Sequence, residues 1–172
     1  WARMERINFR TDILPLKNKL FRLALRVTLD RAEAEDVVQE TMIRVWEKRE
    51  ELKNVDSIEA FCLTICRNLA LDKQAKKEAQ SVELDEMIHD KADLSTPYED
   101  LVQTERLSII KRLFDNLPIR QREVIQLRDI EGKSYKEIAS VLGQTEDQVR
   151  VNLFRARQKL REQYINIENY GL

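Results

Sequence analysis

The sequence predicts an all-α protein of two small helical domains joined by a flexible acidic linker. Three observations carry this. Glycine and proline are scarce, three each in 172 residues, while charged residues make up 35%, a balance that favours helices over sheets. Apolar residues recur at helical spacing through two long stretches. Between those stretches the periodicity fades and acid accumulates. The boundaries fall at residues 1–79 for the first domain, 80–95 for the linker and 96–172 for the second domain.

The first helix is predicted over Asp12 to Thr28, with Pro15 in its first turn and Leu16, Leu20, Leu23 and Val27 as its buried seam. Asp30 and Glu33 have the spacing of a capping box, so a second helix should run from Ala34 to about Glu50. It turns Val38, Met42, Val45 and Trp46 inward and Asp36, Gln39, Glu40 and Glu47 outward. A polar break at Lys53 and Asn54 precedes a third helix, capped by Asp56 and Glu59 and running from Ser57 to about Lys77. Beyond the linker, Thr96, Pro97 and Glu99 supply an N-cap, a first-position proline and a capping-box acid for a helix from Tyr98 to about Asn116.

The last third is the most specific part. Pro118 opens a helix at Ile119 to Asp129. Ser134 and Glu137 then form a capping box, and Ile138, Ala139 and Leu142 follow at helical spacing. Gly143 should end that helix, since glycine takes a left-handed C-terminal position without steric cost. Thr145 and Gln148 cap the next helix, whose Val149, Leu153, Ala156 and Leu160 make a core stripe. Beside it run Arg150, Phe154, Arg157 and Arg161. Two helices across a tight turn, the second rich in arginine, are the layout of a helix-turn-helix whose second helix enters the DNA major groove. A basic helix face can also be plain solvated surface; the turn, the two caps and an aromatic among the arginines favour DNA.

Charge is segregated. The net charge is −1, whereas a DNA-binding domain working alone is more often basic. From Arg150 to Arg161 there are five basic residues and no acid; from Glu83 to Glu105 eight acids face the single Lys91. Phosphates are drawn to the first segment and repelled by the second. Cys62 and Cys66 stand four apart in a helical stretch, where disulfide geometry is unavailable, and with His89 they are too few for a zinc site. They read as buried thiols. No apolar run reaches the roughly 18 residues of a membrane span, the N-terminus lacks an apolar signal core, and a cytoplasmic location is expected. No nucleophile, base and orienting group stand together, so no catalysis, cofactor or metal is expected.

Three segments carry a resemblance. Ala34-Glu35-Asp36-Val37-Val38-Gln39-Glu40-Thr41-Met42-Ile43-Arg44-Val45-Trp46 resembles region 2.2 of the extracytoplasmic-function (ECF) sigma factors of bacterial RNA polymerase, within the sigma-70 family. Phe61-Cys62-Leu63-Thr64-Ile65-Cys66-Arg67-Asn68-Leu69-Ala70-Leu71-Asp72 resembles their regions 2.3 to 2.4, and Leu117 through Leu160 resembles region 4. Order and spacing match over nearly the whole chain.

The resemblance implies a subunit that binds core RNA polymerase and directs initiation from promoter DNA through −10 and −35 elements. It implies that Asp36, Gln39 and Glu40 dock on the polymerase clamp. It places Asn54, Val55, Asp56 and Ser57 in a loop capturing a flipped −10 base, and Arg67, Asn68, Asp72, Lys73, Lys76 and Lys77 along the −10 strand. Asn and Asp can read base edges while Arg and Lys grip phosphate. The −35 readers it implies are Arg150, Asn152, Phe154 and Arg155, with Arg157 and Lys159 toward the backbone. An anti-sigma factor is implied as a further partner. Phe61 stands where tryptophan is common, Val151 and Asn152 replace small polar and basic residues, and Asp147 replaces a frequent glycine. Affinity drawn from the polymerase would explain the near-neutral charge. Two alternatives are a dimeric helix-turn-helix regulator with a ligand-sensing N-terminal domain, and a protein-interaction adaptor using its acidic faces.

Overall fold

The computed structural model describes residues 7–81 and 101–170. Every regular element among them is helical. A wide turn at Phe9–Ile13 and a tight one at Leu14–Leu16 lead into α1, Lys17–Thr28. Then come α2, Arg31–Glu47, a short turn at Glu51–Asn54, and α3, Ile58–Ser81. The second half holds α4, Leu101–Asp115; α5, Ile119–Ile125, which widens at Gln126–Ile130; α6, Tyr135–Leu142; and α7, Glu146–Tyr170.

In the first half α1, α2 and α3 pack against one another. Leu20, Leu23 and Val27 of α1 meet Val37, Val38 and Val45 of α2 and Leu63, Leu69 and Ala70 of α3 in the buried core. Asp30 caps α2 through the Glu33 backbone N–H, which donates to its carboxylate at 3.0 Å. The cap of α3 differs from the sequence reading: the Ala60 N–H donates to Ser57 Oγ at 3.1 Å, and Asp56 is exposed. Trp46 is a second correction. The core stripe of α2 runs Ala34, Val38, Thr41, Val45, which places the next residue off the seam, so Trp46 is 51% exposed. Its ring meets Phe9 edge-on at 5.8 Å and carries the Arg49 guanidinium 4.4 Å from its centroid.

Cys62 and Cys66 are free and buried, as their spacing implied. The Cys66 thiol donates to the Leu20 carbonyl at 3.3 Å. Burial pushes the Cys62 thiol up to about 11 and the Cys66 thiol up to about 12. Both are neutral and inert at ordinary pH.

In the second half α5 and α6 pack on α7, and α4 lies along it. Helix α7 continues ten residues past Leu160, where the apolar stripe read from the sequence ends. Helix α5 ends sooner than expected, and the Glu131 N–H reaches back five residues to the Gln126 carbonyl at 3.0 Å. The caps proposed for the fourth helix at Thr96, Pro97 and Glu99, and most of the acidic segment, lie outside the described residues.

The two halves do not stand apart. Helices α1 and α3 pack on α5, α6 and the widened turn, and the seam is laced with charge. Arg22 donates to Glu131 twice, at 2.5 and 2.9 Å. Lys133 reaches Glu59 at 2.6 Å, and Arg26 reaches Asp115 at 3.2 Å while its guanidinium lies 5.2 Å from the Phe114 ring centroid. Buried Arg122 donates to the carbonyls of Asp115, Leu117 and Val27 at 2.9, 3.2 and 3.2 Å, closing carbonyls at the ends of α4 and α1.

Candidate nucleic-acid and polymerase interfaces

The helix-turn-helix forms as its residues dictate. The Glu137 N–H donates to Ser134 Oγ at 3.1 Å, and the Ser134 N–H returns to the Glu137 carboxylate at 3.4 Å. Gly143 takes φ +62° and ψ 37° and turns the chain. The Gln148 N–H donates to Thr145 Oγ1 at 3.1 Å, and the Thr145 N–H donates to Gln148 Oε1 at 3.0 Å. Both predicted capping boxes are therefore present. Val149, Leu153 and Ala156 are buried, which fixes the roll of α7 and turns Arg150, Phe154, Arg155 and Arg157 outward. Phe154 is 68% exposed, a large apolar ring standing free among cations.

Those cations are held in place. Arg150 pairs with Asp147 at 3.1 Å and Glu146 at 3.7 Å, and its guanidinium lies 5.0 Å from the centroid of Tyr135. Arg128 sits 4.4 Å from the same ring. Arg157 is bound to Asp129 through both oxygens of its carboxylate. Lys159 is half-buried. A concavity beside α7 is lined by Arg120, Gln144, Gln148, Asn152 and Arg155, together with Asp147 and Val151. Tyr135, Arg128, Arg120 and Gln144 were not singled out from the sequence. The Tyr135 stack needs residues seven and fifteen positions apart to meet in space, which no local pattern announces.

On the first half, Asp36, Gln39 and Glu40 lie exposed along α2. Glu40 accepts from Arg44 at 3.0 Å, and Asp36 accepts from Lys73 of α3 at 3.4 Å. The expected docking row and the expected −10 helix are thus neighbours. Lys77 likewise approaches Glu33 at 3.6 Å and Asp30 at 4.0 Å. Asn68, Asp72 and Lys76 are exposed. In the preceding loop Asn54 and Asp56 are exposed, Val55 is partly buried against the core, and the Ser57 hydroxyl is taken up by its helix cap.

Arg67 is the exception on α3. Its side chain is 12% exposed and its Nε donates to Glu123 Oε1 at 3.0 Å across the seam between halves. Glu123 is fully buried, and burial raises its carboxyl above the ordinary range despite Arg67 beside it. Glu123 stands directly before the apolar pair Val124-Ile125 and is buried with it on α5. Its partner, 56 residues upstream, was invisible.

Among the described residues this architecture is a three-helix bundle joined to a helix-turn-helix unit. Residues 13–80 match the family model for Sigma-70 region 2, and residues 107–160 match Sigma-70, region 4. The chain is 35% identical to the ECF RNA polymerase sigma factor SigL of Mycobacterium tuberculosis over 143 residues, covering 83% of this chain and 80% of that protein. It is 32% identical to the ECF RNA polymerase sigma factor SigE of Mycolicibacterium smegmatis, covering 84% of this chain and 57% of that one, so it spans little more than half of SigE. Among solved structures it resembles the sigma factor RpoE of Bartonella quintana, crystallised with the anti-sigma factor NepR, with a TM-score of 0.77 at 25% identity over 90% of this chain and 94% of that one. The chain belongs to the ECF sigma factors of the sigma-70 family.

Proposed function

We propose that this chain binds core RNA polymerase in the cytoplasm and directs it to promoters by reading −10 and −35 elements. The observation that carries the reading is the pairing, in one chain, of an exposed carboxylate and amide row on α2 with an arginine and phenylalanine face on a capped recognition helix. Residues 1–79 would dock on the polymerase and engage the −10 strand, 80–95 would be an acidic connector, and 96–172 would read the −35 element.

Each proposed contact has a chemical basis. Asp36, Gln39 and Glu40 offer acceptors suited to a basic helical partner. Asn54, Val55, Asp56 and Ser57 would hold a flipped −10 base, with Asn68 and Asp72 toward base edges and Arg67, Lys73, Lys76 and Lys77 toward phosphates. Arg150, Asn152, Phe154 and Arg155 would read the −35 element: arginine can bond guanine bidentately and an aromatic ring can touch a thymine methyl. Arg157 and Lys159 would hold its backbone. The polymerase supplies the chemistry and this chain supplies recognition. The complex of Bartonella quintana RpoE with NepR supports an anti-sigma factor as a regulatory partner here too.

The test is run-off transcription with purified core polymerase on a template carrying both elements. The chain should confer initiation that core polymerase alone lacks. Arg150→Ala with Arg155→Ala should remove dependence on the −35 element while binding to the polymerase survives. Initiation no better than that of core polymerase would overturn the proposal.

A further inference from the structure

Gln144 lies in the turn between α6 and α7, directly after Gly143. Its backbone is fixed, because its N–H donates to the Ala139 carbonyl at 3.0 Å. Its side chain reaches forward two turns along α7, where Asn152 Nδ2 donates to Gln144 Oε1 at 3.3 Å. Both residues are half-buried and line the same concavity as Arg155 on the outward side of α7. The neighbouring amide, Gln148, is already occupied: its oxygen accepts the Thr145 N–H in the helix cap.

An asparagine amide carries two N–H donors and an acceptor oxygen. The bond to Gln144 uses one N–H. When Gln144 takes the N–H directed away from Oδ1, the other N–H and Oδ1 remain side by side, the complement of N7 and the N6 amino group of adenine in the major groove. An unrestrained asparagine amide rotates broadly about χ2. With Gln144 gripping one N–H, the amide plane and the order of its donor and acceptor are set before DNA arrives.

We infer that Gln144 is a positioning residue for −35 recognition, locking the Asn152 amide so that it selects an adenine. The inference rests on the promoter-reading function proposed above and adds a base identity and a residue to it.

The experiment uses the full chain with core polymerase and a promoter library randomised across the −35 element, scoring base preference at each position from the transcripts. Wild type should favour adenine at one position, and Asn152→Ala should remove that preference, about a tenfold change. Gln144→Leu should lower the preference several-fold at the same position and leave the others unchanged. Gln144→Glu should retain it, because a carboxylate oxygen can accept the same Asn152 N–H. Three results would each overturn the inference: no adenine preference that depends on Asn152; a preference unmoved by Gln144→Leu; or a loss spread over all positions and shared by Gln144→Glu, which would mark a turn-forming role only. A wild-type library with no −35 dependence at all would overturn the promoter-reading function itself, and this inference with it.

Discussion

Single residues set the geometry of the reading helix, and their effects follow from local physics. Gly143 sits at φ +62° with open space where a Cβ would go. Gly143→Ala therefore costs the left-handed backbone term alone, about 1 kcal/mol, measurable by chemical denaturation. Ser134→Ala removes one half of a capping box and should cost a similar ~1 kcal/mol. These features were legible in the sequence because a cap and its partner are three residues apart. The misplaced ones were near misses of the same kind. Ser57 rather than Asp56 caps α3, since both have capping side chains and only the turn geometry chooses between them. Trp46 follows the buried Val45 and looked inward on composition, but one step around a helix carries it off the seam. Arg67 was placed on its helix yet not in its surroundings, because its partner Glu123 comes from the other half of the chain.

At the scale of elements, α2 and α7 carry the two proposed contact surfaces. Asp36→Arg places a cation in the acidic row of α2 and should weaken binding to core polymerase tenfold or more in a fluorescence-anisotropy titration. Unchanged affinity would remove α2 from the interface. Asp36 also meets Lys73 at 3.4 Å, an exposed pair worth at most about 1 kcal/mol, so the fold should survive the change. The α1, α2 and α3 bundle and the helix-turn-helix could be read from apolar period and caps. The length of α7 could not: past Leu160 its apolar residues thin out, and the helix is held from outside by α4 packed along it. The break in α5 was also hidden. It coincides with Arg122 to Leu127 being buried without a break, a full turn and a half that a straight amphipathic helix does not provide for.

For the whole molecule, the finding that the sequence did not announce is the seam between the two halves. Its pairs join residues 56 to 109 positions apart, beyond any pattern of spacing. The seam's charge makes it sensitive to salt and acid. Glu131 is held below the ordinary carboxylate range by the hydrogen bonds from Arg22. For Glu59, burial pushes upward, but bonding to Lys133 and Lys19 prevails and lowers it. Carboxyls lowered by folding contribute stability above their unfolded value, about 4.3, and lose it as pH falls through the depressed folded value. Glu123 has the opposite sign: burial raises it, so its contribution is present at low pH and is lost as pH rises through its folded value. Dyes placed at exposed positions 35 and 158 would report the distance between the halves, since the native thiols are buried and neutral. The halves should separate as pH drops below about 4 and as salt rises. Glu123→Gln, which removes the opposing group, should make the acid transition steeper. A distance unaffected by either acid or salt would mean that apolar packing alone holds the seam.

That seam also bears on function. If Arg67 grips the −10 strand, it must first leave Glu123, and Arg157 must share or leave Asp129 to reach a phosphate. A partner that binds both units and draws them onto DNA would drive that exchange. Promoter reading by this chain requires that partner to be core RNA polymerase. Sedimentation of the purified chain with core polymerase, followed at equimolar protein, tests it most directly. The expected result is a one-to-one complex that forms without DNA and is weakened by Asp36→Arg. Separate sedimentation of the two proteins, even if the chain bound duplex DNA by itself, would contradict it.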